Sequence, residues 1–429
     1  MAAHEVSADS RAEHAEDPGP PPRVFVHIGE PKTGTTFLQQ VMWGNRRELA
    51  ARGLALPGHH PQDHYRASQD LRGIEKLPSD PATPWTGEWE ILATEAKAAR
   101  LAVISHELFS AADAEQAGRA VRSLEPAQVH LVLTVRDIGS LLPAEWQETV
   151  KHRNTRAWED WLADVIDVES RAQDRDQYWF WKVHDTVAVL ARWAAHVPPE
   201  RVHVITMPQR GADDGLLWER FASVLGIDPG GVDLAMARSN SSLGMPEIEF
   251  LRHLNEALPD EVPGWYYMQA VKETVAHRAL ASRPRQGRLM LPADRDAWAA
   301  QQAEQLIGGL TAAGYDIVGD TGELRPRPIA GPRPSPSSES AEPVLDAAVS
   351  ACAALVVAQY RRNHPAARAP AGPARPRGLV GRVESTVAGS PRVKNTVREL
   401  SRRYPAMRRL RILAWREMER RRARAPGSH

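Results

Sequence analysis

Lys32 sits in the run Gly29-Glu-Pro-Lys-Thr-Gly-Thr-Thr36, among three threonines and a second glycine, Gly34. An ammonium, the hydroxyls of Thr33, Thr35 and Thr36, and a tight glycine turn supply what a phosphate needs: charge, donors and close backbone approach. Further along, Ser105-His-Glu107 offers two proton acceptors, the imidazole of His106 and the carboxylate of Glu107. Arg136 ends an apolar run, and its planar fork suits two phosphate oxygens at once. The polar knot Ala237-Arg-Ser-Asn-Ser-Ser-Leu-Gly244 adds Asn240 and Ser242, although Asn-Ser-Ser makes an equally good turn or helix cap. His59, His60 and His64 invite a metal reading, but no carboxylate-rich segment at helical spacing accompanies them, and the stretch reads as a surface loop. His27, inside an apolar run, reads as a core histidine.

Strands and helices must bring these groups together. Val24 to Ile28 is rich in β-branched residues and reads as a buried strand. Gly29 to Gly34 is a loop, and from Thr35 the residues Phe37, Leu38, Val41 and Met42 recur at helical spacing. The first N–H groups of that helix lack partners, and its dipole adds roughly half a positive charge where Lys32 stands. Leu101 to His106 is a second buried strand, delivering Ser105, His106 and Glu107 to its carboxyl edge, where parallel α/β sheets bind ligands. Val129 to Val135 runs into Arg136-Asp137 and a helix over Leu141 to His152; this strand also loosely imitates one ending in a magnesium-binding aspartate. Gly53 to Gly58 and Arg201 to Thr206 read as further strands, Trp85 to Arg100 as an amphipathic helix, and Leu216 to Leu225 as a helix stopped by Gly226. Helices follow near Met245, over 264–282 and over 293–313. Of the tryptophans Trp146, Trp158, Trp161, Trp179, Trp181 and Trp193, half or more read as core aromatics, with Tyr178 to Trp181 a candidate cleft wall.

The nucleotide-triphosphate loop has a lysine directly after its last glycine; here the lysine lies two residues before Gly34. Pro31-Lys-Thr-Gly-Thr-Thr36 instead resembles the 5′-phosphosulfate loop of the sulfotransferases that use 3′-phosphoadenosine 5′-phosphosulfate. The resemblance covers roughly residues 23–320 and includes the base-bearing strand, the arginine strand and the asparagine-serine knot, in that family's order. It implies a bacterial-type P-loop-like α/β fold, three layers with a central parallel sheet flanked by helices, followed by a mostly helical C-terminal extension. It implies sulfuryl transfer to a hydroxyl or amine of a small-molecule, carbohydrate or lipid acceptor, without a metal. Lys32, Thr33, Gly34, Thr35, Thr36, Arg136, Asn240 and Ser242 would hold the nucleotide, and Lys32 with His106 or Glu107 would do the chemistry. The family's arginine is followed eight residues on by a serine; that position is Ala144, with Ser140 one helical turn earlier. Two other classes remain: an ATP-using phosphotransferase, and a catalytically idle nucleotide-binding relative.

Composition bounds the rest. At 429 residues, 42% hydrophobic and 25% charged, the chain should hold one large domain or two ordinary ones. A single cysteine, Cys352, excludes an internal disulfide framework and suits a reducing cytoplasm. Without a run of about 18 apolar residues no spanning helix is expected, and the start carries no secretory pattern. Residues 1–22 read as an acidic disordered leader, 23–320 as the catalytic domain, 321–343 as a Pro-rich linker, and 344–429 as a basic tail that starts with an apolar helix over Val344 to Arg362. From Arg361 onward 19 Lys and Arg stand against 4 Asp and Glu, a net of +15 hidden inside an overall charge of zero. With Val393, Val397, Leu400 and Tyr404 near helical spacing, the tail reads as a basic amphipathic helix, either solvated and loosely packed or attached to an anionic membrane surface. No base-reading module accompanies it, so nucleic acid is not expected.

Overall fold

The computed structural model describes residues 21–74, 85–167, 175–237 and 242–364. Six strands form one sheet: β1 (Arg23–Gly29), β2 (Leu54–Ala55), β3 (Leu101–Ser105), β4 (Gln128–Val135), β5 (Val202–Thr206) and β6 (Asp316–Val318), in the order β2-β3-β1-β4-β5-β6. Every neighbouring pair is parallel. Parallel strands covered on both faces read as continuous apolar runs, and β3 and β5 are buried throughout. In β1 alternate residues serve opposite faces. Val24, Val26 and Ile28 join a cluster with Trp89, Phe109 and Trp193, whereas Phe25 packs with Leu38, Met42 and Phe221 of helices on the other side. The α/β three-layer architecture expected from the sequence is the one observed.

The chain runs from β1 to the sheet edge, returns through β3 to pair with β1, then crosses to β4 on its other flank. The crevice outside the carboxyl ends of β1, β3 and β4 is therefore a topological switch point. A third cluster, built from Trp146, Trp158, Trp161, Phe180, Ile248 and Tyr267, lies among helices Ile138–Lys151, Trp158–Ile166 and Met245–Ala257. Four of the tryptophans, Trp146, Trp158, Trp161 and Trp193, are core residues. Phe180 and Trp181 belong to that packing too, Trp181 donating to the Val165 carbonyl at 2.8 Å, rather than to an open wall.

Several expectations are corrected. The histidine stretch is a helix, Pro61–Leu71, and not a loop: His60 and Asp63 cap it reciprocally and Pro61 opens it. His64 is buried against the carbonyls of Pro57 and Ser105. The stretch 321–343 is no free linker. Leu324 and Pro336 are buried, and Arg333 pairs with Asp296 while donating to the carbonyls of Leu291 and Ile329. The apolar helix that follows, Ala341–Asn363, buries Ala347 and Ala351 in the third cluster, and Arg283 donates to Asp346 O and Ser350 Oγ. That helix is long and apolar enough to cross a membrane, contrary to the expectation of no such segment. Alanines, which are only mildly apolar, carry its length and hide it from a scan for strong hydrophobes. Leu345, Val349 and Val356 form an exposed stripe on its outer face. The leader, Asn240 and the basic tail from residue 365 lie outside the described residues.

Candidate active site

The loop after β1 is shaped by left-handed backbone at Gly29 (φ 114°), Lys32 (φ 60°) and Gly34 (φ 90°). Glycine adopts that region freely; Lys32 does so at a steric cost of order 1–3 kcal/mol, which surrounding structure must hold in place. Gly34 caps helix Thr35–Gly44 without any side chain of its own, so the first N–H groups of the helix stay open toward the loop. A Cβ on Gly34 would meet the end of the Leu217 side chain, which would have to shift. Of the loop hydroxyls, Thr33 is corrected: it is buried, donates to Glu30 O at 2.6 Å and shares a 2.6 Å hydrogen bond with Thr134, so its side chain ties the loop to β4. Thr35 and Thr36 open the helix.

Beneath the loop Glu30 is buried, accepting from Thr186 Oγ1 at 2.7 Å. His184 lies between two carboxylates, Glu30 at 3.5 Å and Glu145 at 3.6 Å. Burial alone would push His184 down, but the two carboxylates outweigh it and lift its pKa to about 9. The imidazolium thus joins the loop to helix Ile138–Lys151 from below. From above, Lys32 reaches Glu148 of that same helix at 2.6 Å.

At the end of β3, Glu107 lies directly against the loop. A Cβ on Gly29 would stand 2.8 Å from the Glu107 carbonyl oxygen and 2.9 Å from its Cα. Gln39, one turn into the loop helix, donates to Glu107 Oε2 at 3.1 Å. Burial pushes the Glu107 carboxyl up, but His106, its own N–H, Gln39 and Lys32 together hold it below the ordinary carboxylate value. His106 is otherwise occupied: its Nδ1 accepts the Leu108 N–H at 3.1 Å, capping the short 3-10 helix Glu107–Ala111. A neutral imidazole accepting at Nδ1 carries its proton on Nε2, so His106 has no free lone pair to offer. Burial pushes its pKa down against the pull of Glu107, so the ring is neutral near pH 7 and acts on Glu107 only where acid protonates it. His27 is a satisfied core histidine, 2.8 Å from Ser105 Oγ.

At the end of β4, Arg136 donates to the Lys32 carbonyl at 3.2 Å. It opens onto a cleft of about 760 Å³ lined by Gly34, Ser140, Arg210 and Arg288 among others. Burial pushes the guanidinium of Arg288 down, and Arg210 and Arg136 push it further; Arg136 is lowered first by burial and also by Arg210. Arg136, Arg210 and Arg288 thus line one cleft, together with Arg327, Arg333 and the carboxylates of Asp137, Asp213, Asp214 and Asp296. Asp137, which also lines the cleft, is engaged as a helix cap, its Oδ1 accepting from Ser140 N at 2.8 Å. Ser140 lines the cleft and Ala144 does not; Ser242 is exposed and is not part of the cleft wall.

No family model and no curated protein matches the chain. It is similar in structure to a sulfotransferase from Alicyclobacillus acidocaldarius, with 16% identity, a TM-score of 0.35, and coverage of 59% of this chain and 96% of that one. At that TM-score no residue role is carried across.

Arg210, Arg288, Glu148, Lys151 and Lys272 have no place in the sequence reading. Arg210 follows β5 by four residues, so the strand-end rule alone points to it. Arg288 lies on an irregular segment and Lys272 on the π-helical stretch Met268–Ala279. Nothing local marks either one.

Proposed function

We propose that this chain is a sulfotransferase that moves a sulfuryl group from 3′-phosphoadenosine 5′-phosphosulfate to a hydroxyl or amine and releases adenosine 3′,5′-bisphosphate. One observation carries the reading: the Gly29–Glu107 contact sets an ionised carboxylate beside a lysine-bearing anion loop, with a separate arginine wall opening from Gly34 and Arg136. Two cationic seats, a helix start and an arginine trio, suit a nucleotide with phosphates at two ends of its sugar better than one contiguous triphosphate. In this reading the loop N–H groups and the Thr35 and Thr36 hydroxyls hold the phosphosulfate, and Arg136, Arg210 and Arg288 hold the 3′-phosphate. Glu107 takes the acceptor's proton as its oxygen or nitrogen bonds to sulfur. The bond from sulfur to the bridging phosphate oxygen breaks, that oxygen keeps the electron pair, and Lys32 neutralises its charge.

Calorimetric titration tests the nucleotide. Adenosine 3′,5′-bisphosphate should bind about ten- to a hundredfold tighter than adenosine 5′-phosphate, the worth of a charge-assisted contact to the 3′ group. Arg288→Met should erase most of that difference. Equal affinity for the two ligands, or tighter binding of ATP, would return the phosphotransferase alternative.

We also propose peripheral attachment to an anionic membrane. The exposed Leu345, Val349 and Val356 stripe leads straight into the arginine-rich stretch from Arg361, and a lipid surface satisfies apolar stripe and charge together. The chain should be cut after Asn363 to test the tail, because the helix before it is packed on the body. The full chain should float with anionic vesicles at low salt and detach at high salt, each basic residue contributing on the order of 1 kcal/mol. Equal flotation of full and shortened chains would assign the attachment elsewhere.

A further inference from the structure

Glu148 faces three ammonium groups: Lys32 at 2.6 Å, Lys272 at 2.8 Å and Lys151 at 3.7 Å. His152 approaches the same carboxylate at 3.2 Å, and Lys272 also meets His152 Nε2 at 2.6 Å. The neighbouring carboxylates are committed: Glu145 to the His184 imidazolium, Glu107 to Gln39 and Glu273 to His277. Among the described residues, Glu148 is the carboxylate that all three lysines contact.

Lys151 is the least provided for. Its side chain is 11% exposed, and among the described residues its one ion contact is the long one, to an oxygen that Lys32 already holds. A mostly covered ammonium with only a distant counter-charge is poorly compensated. Lys272 reaches the same spot from the widened turns of the π-helix Met268–Ala279, a winding that is rare and recurs at functional sites.

We propose that the acceptor is itself an anion, a hydroxyl- or amine-bearing molecule whose carboxylate, sulfate or phosphate docks on Lys151 and Lys272 beside Lys32. This rests on the sulfotransferase reading for what happens to the molecule, though not for the anion seat. The seat shares Glu148 with Lys32, the lysine that serves the donor in that reading. Titration agrees: burial, with Lys32 and Lys272 alongside, pushes Lys151 down to about 8 against the pull of Glu148. An arriving anion supplies a nearer counter-charge.

The probes are 4-hydroxybenzoate and 4-hydroxybenzamide, which share ring and hydroxyl and differ in charge. Each is titrated calorimetrically into the full-length protein, with and without saturating adenosine 3′,5′-bisphosphate. The carboxylate should bind about ten- to a hundredfold tighter than the amide. Lys151→Met and Lys272→Met should abolish the preference, Lys151→Arg should retain it, and Arg136→Met should leave it untouched. Unchanged nucleotide affinity in Lys151→Met shows that the fold survives. Equal binding of both probes, binding of neither, or a preference lost with Arg136→Met but kept in Lys151→Met would overturn the proposal. Failure of the sulfotransferase reading registers separately, as absent nucleotide binding with the carboxylate preference intact in the nucleotide-free titration.

Discussion

Lys32→Ala should lower turnover about a hundred- to a thousandfold, the usual cost of removing one donor aimed at developing charge. The ammonium leaves the loop at a left-handed residue and is directed along helix Ile138–Lys151 by Glu148 at 2.6 Å. Lys32→Arg should recover little, because a planar fork does not fill the place of a compact ammonium held by one carboxylate oxygen. Release of adenosine 3′,5′-bisphosphate measures the rate, and calorimetry with the same nucleotide measures binding. Unchanged turnover in Lys32→Ala would remove the lysine from the chemistry and leave the loop as a binding element only.

The second large effect belongs to Glu107. Glu107→Gln keeps the Gln39 contact in shape but cannot accept a proton, and should cut turnover about 10²–10⁴-fold with little change in nucleotide affinity. His106→Ala should act mainly through the lost cap, at about 0.5–2 kcal/mol of stability, and leave most of the rate. The pH profile separates the two. A base must be deprotonated, so activity falls as pH drops through its pKa. Glu107 is held below the ordinary carboxylate value of 4.5, so the rate should persist from neutrality down past that point. An acid limb well above the carboxylate range, together with a collapsed rate in His106→Ala, would move the base to the histidine.

Much of the frame was legible in the chain. β1, β3, β4 and β5 are near-continuous apolar runs because both faces of a parallel sheet are covered, and the punctuation by Gly29, Gly34 and Gly226 reflects positions where the backbone must turn left-handed. Lys32, Glu107 and Arg136 could be placed because each directly follows or ends such a run. Composition misled wherever a residue's role depended on a distant partner. Thr33 looks like Thr35 and Thr36 until Thr134 of β4 claims its hydroxyl. His106 is a different case, since its capping partner, the Leu108 N–H, lies only two residues on. Proline and serine suggested a free linker, yet Arg333 finds Asp296 thirty-seven residues earlier. The arginine wall draws on Arg136, Arg210 and Arg288, joined only by tertiary packing.

The absent side chain at Gly29 has a mechanical consequence. Because the loop rests on the backbone of Glu107 with no Cβ between them, the loop after β1 and the end of β3 are joined through main chain, and a displacement of one carries the other. In the proposed reaction that joint would tie the donor's loop to the residue bearing the base, leaving the carboxylate's own position to the Glu107 rotamer and its Gln39 partner.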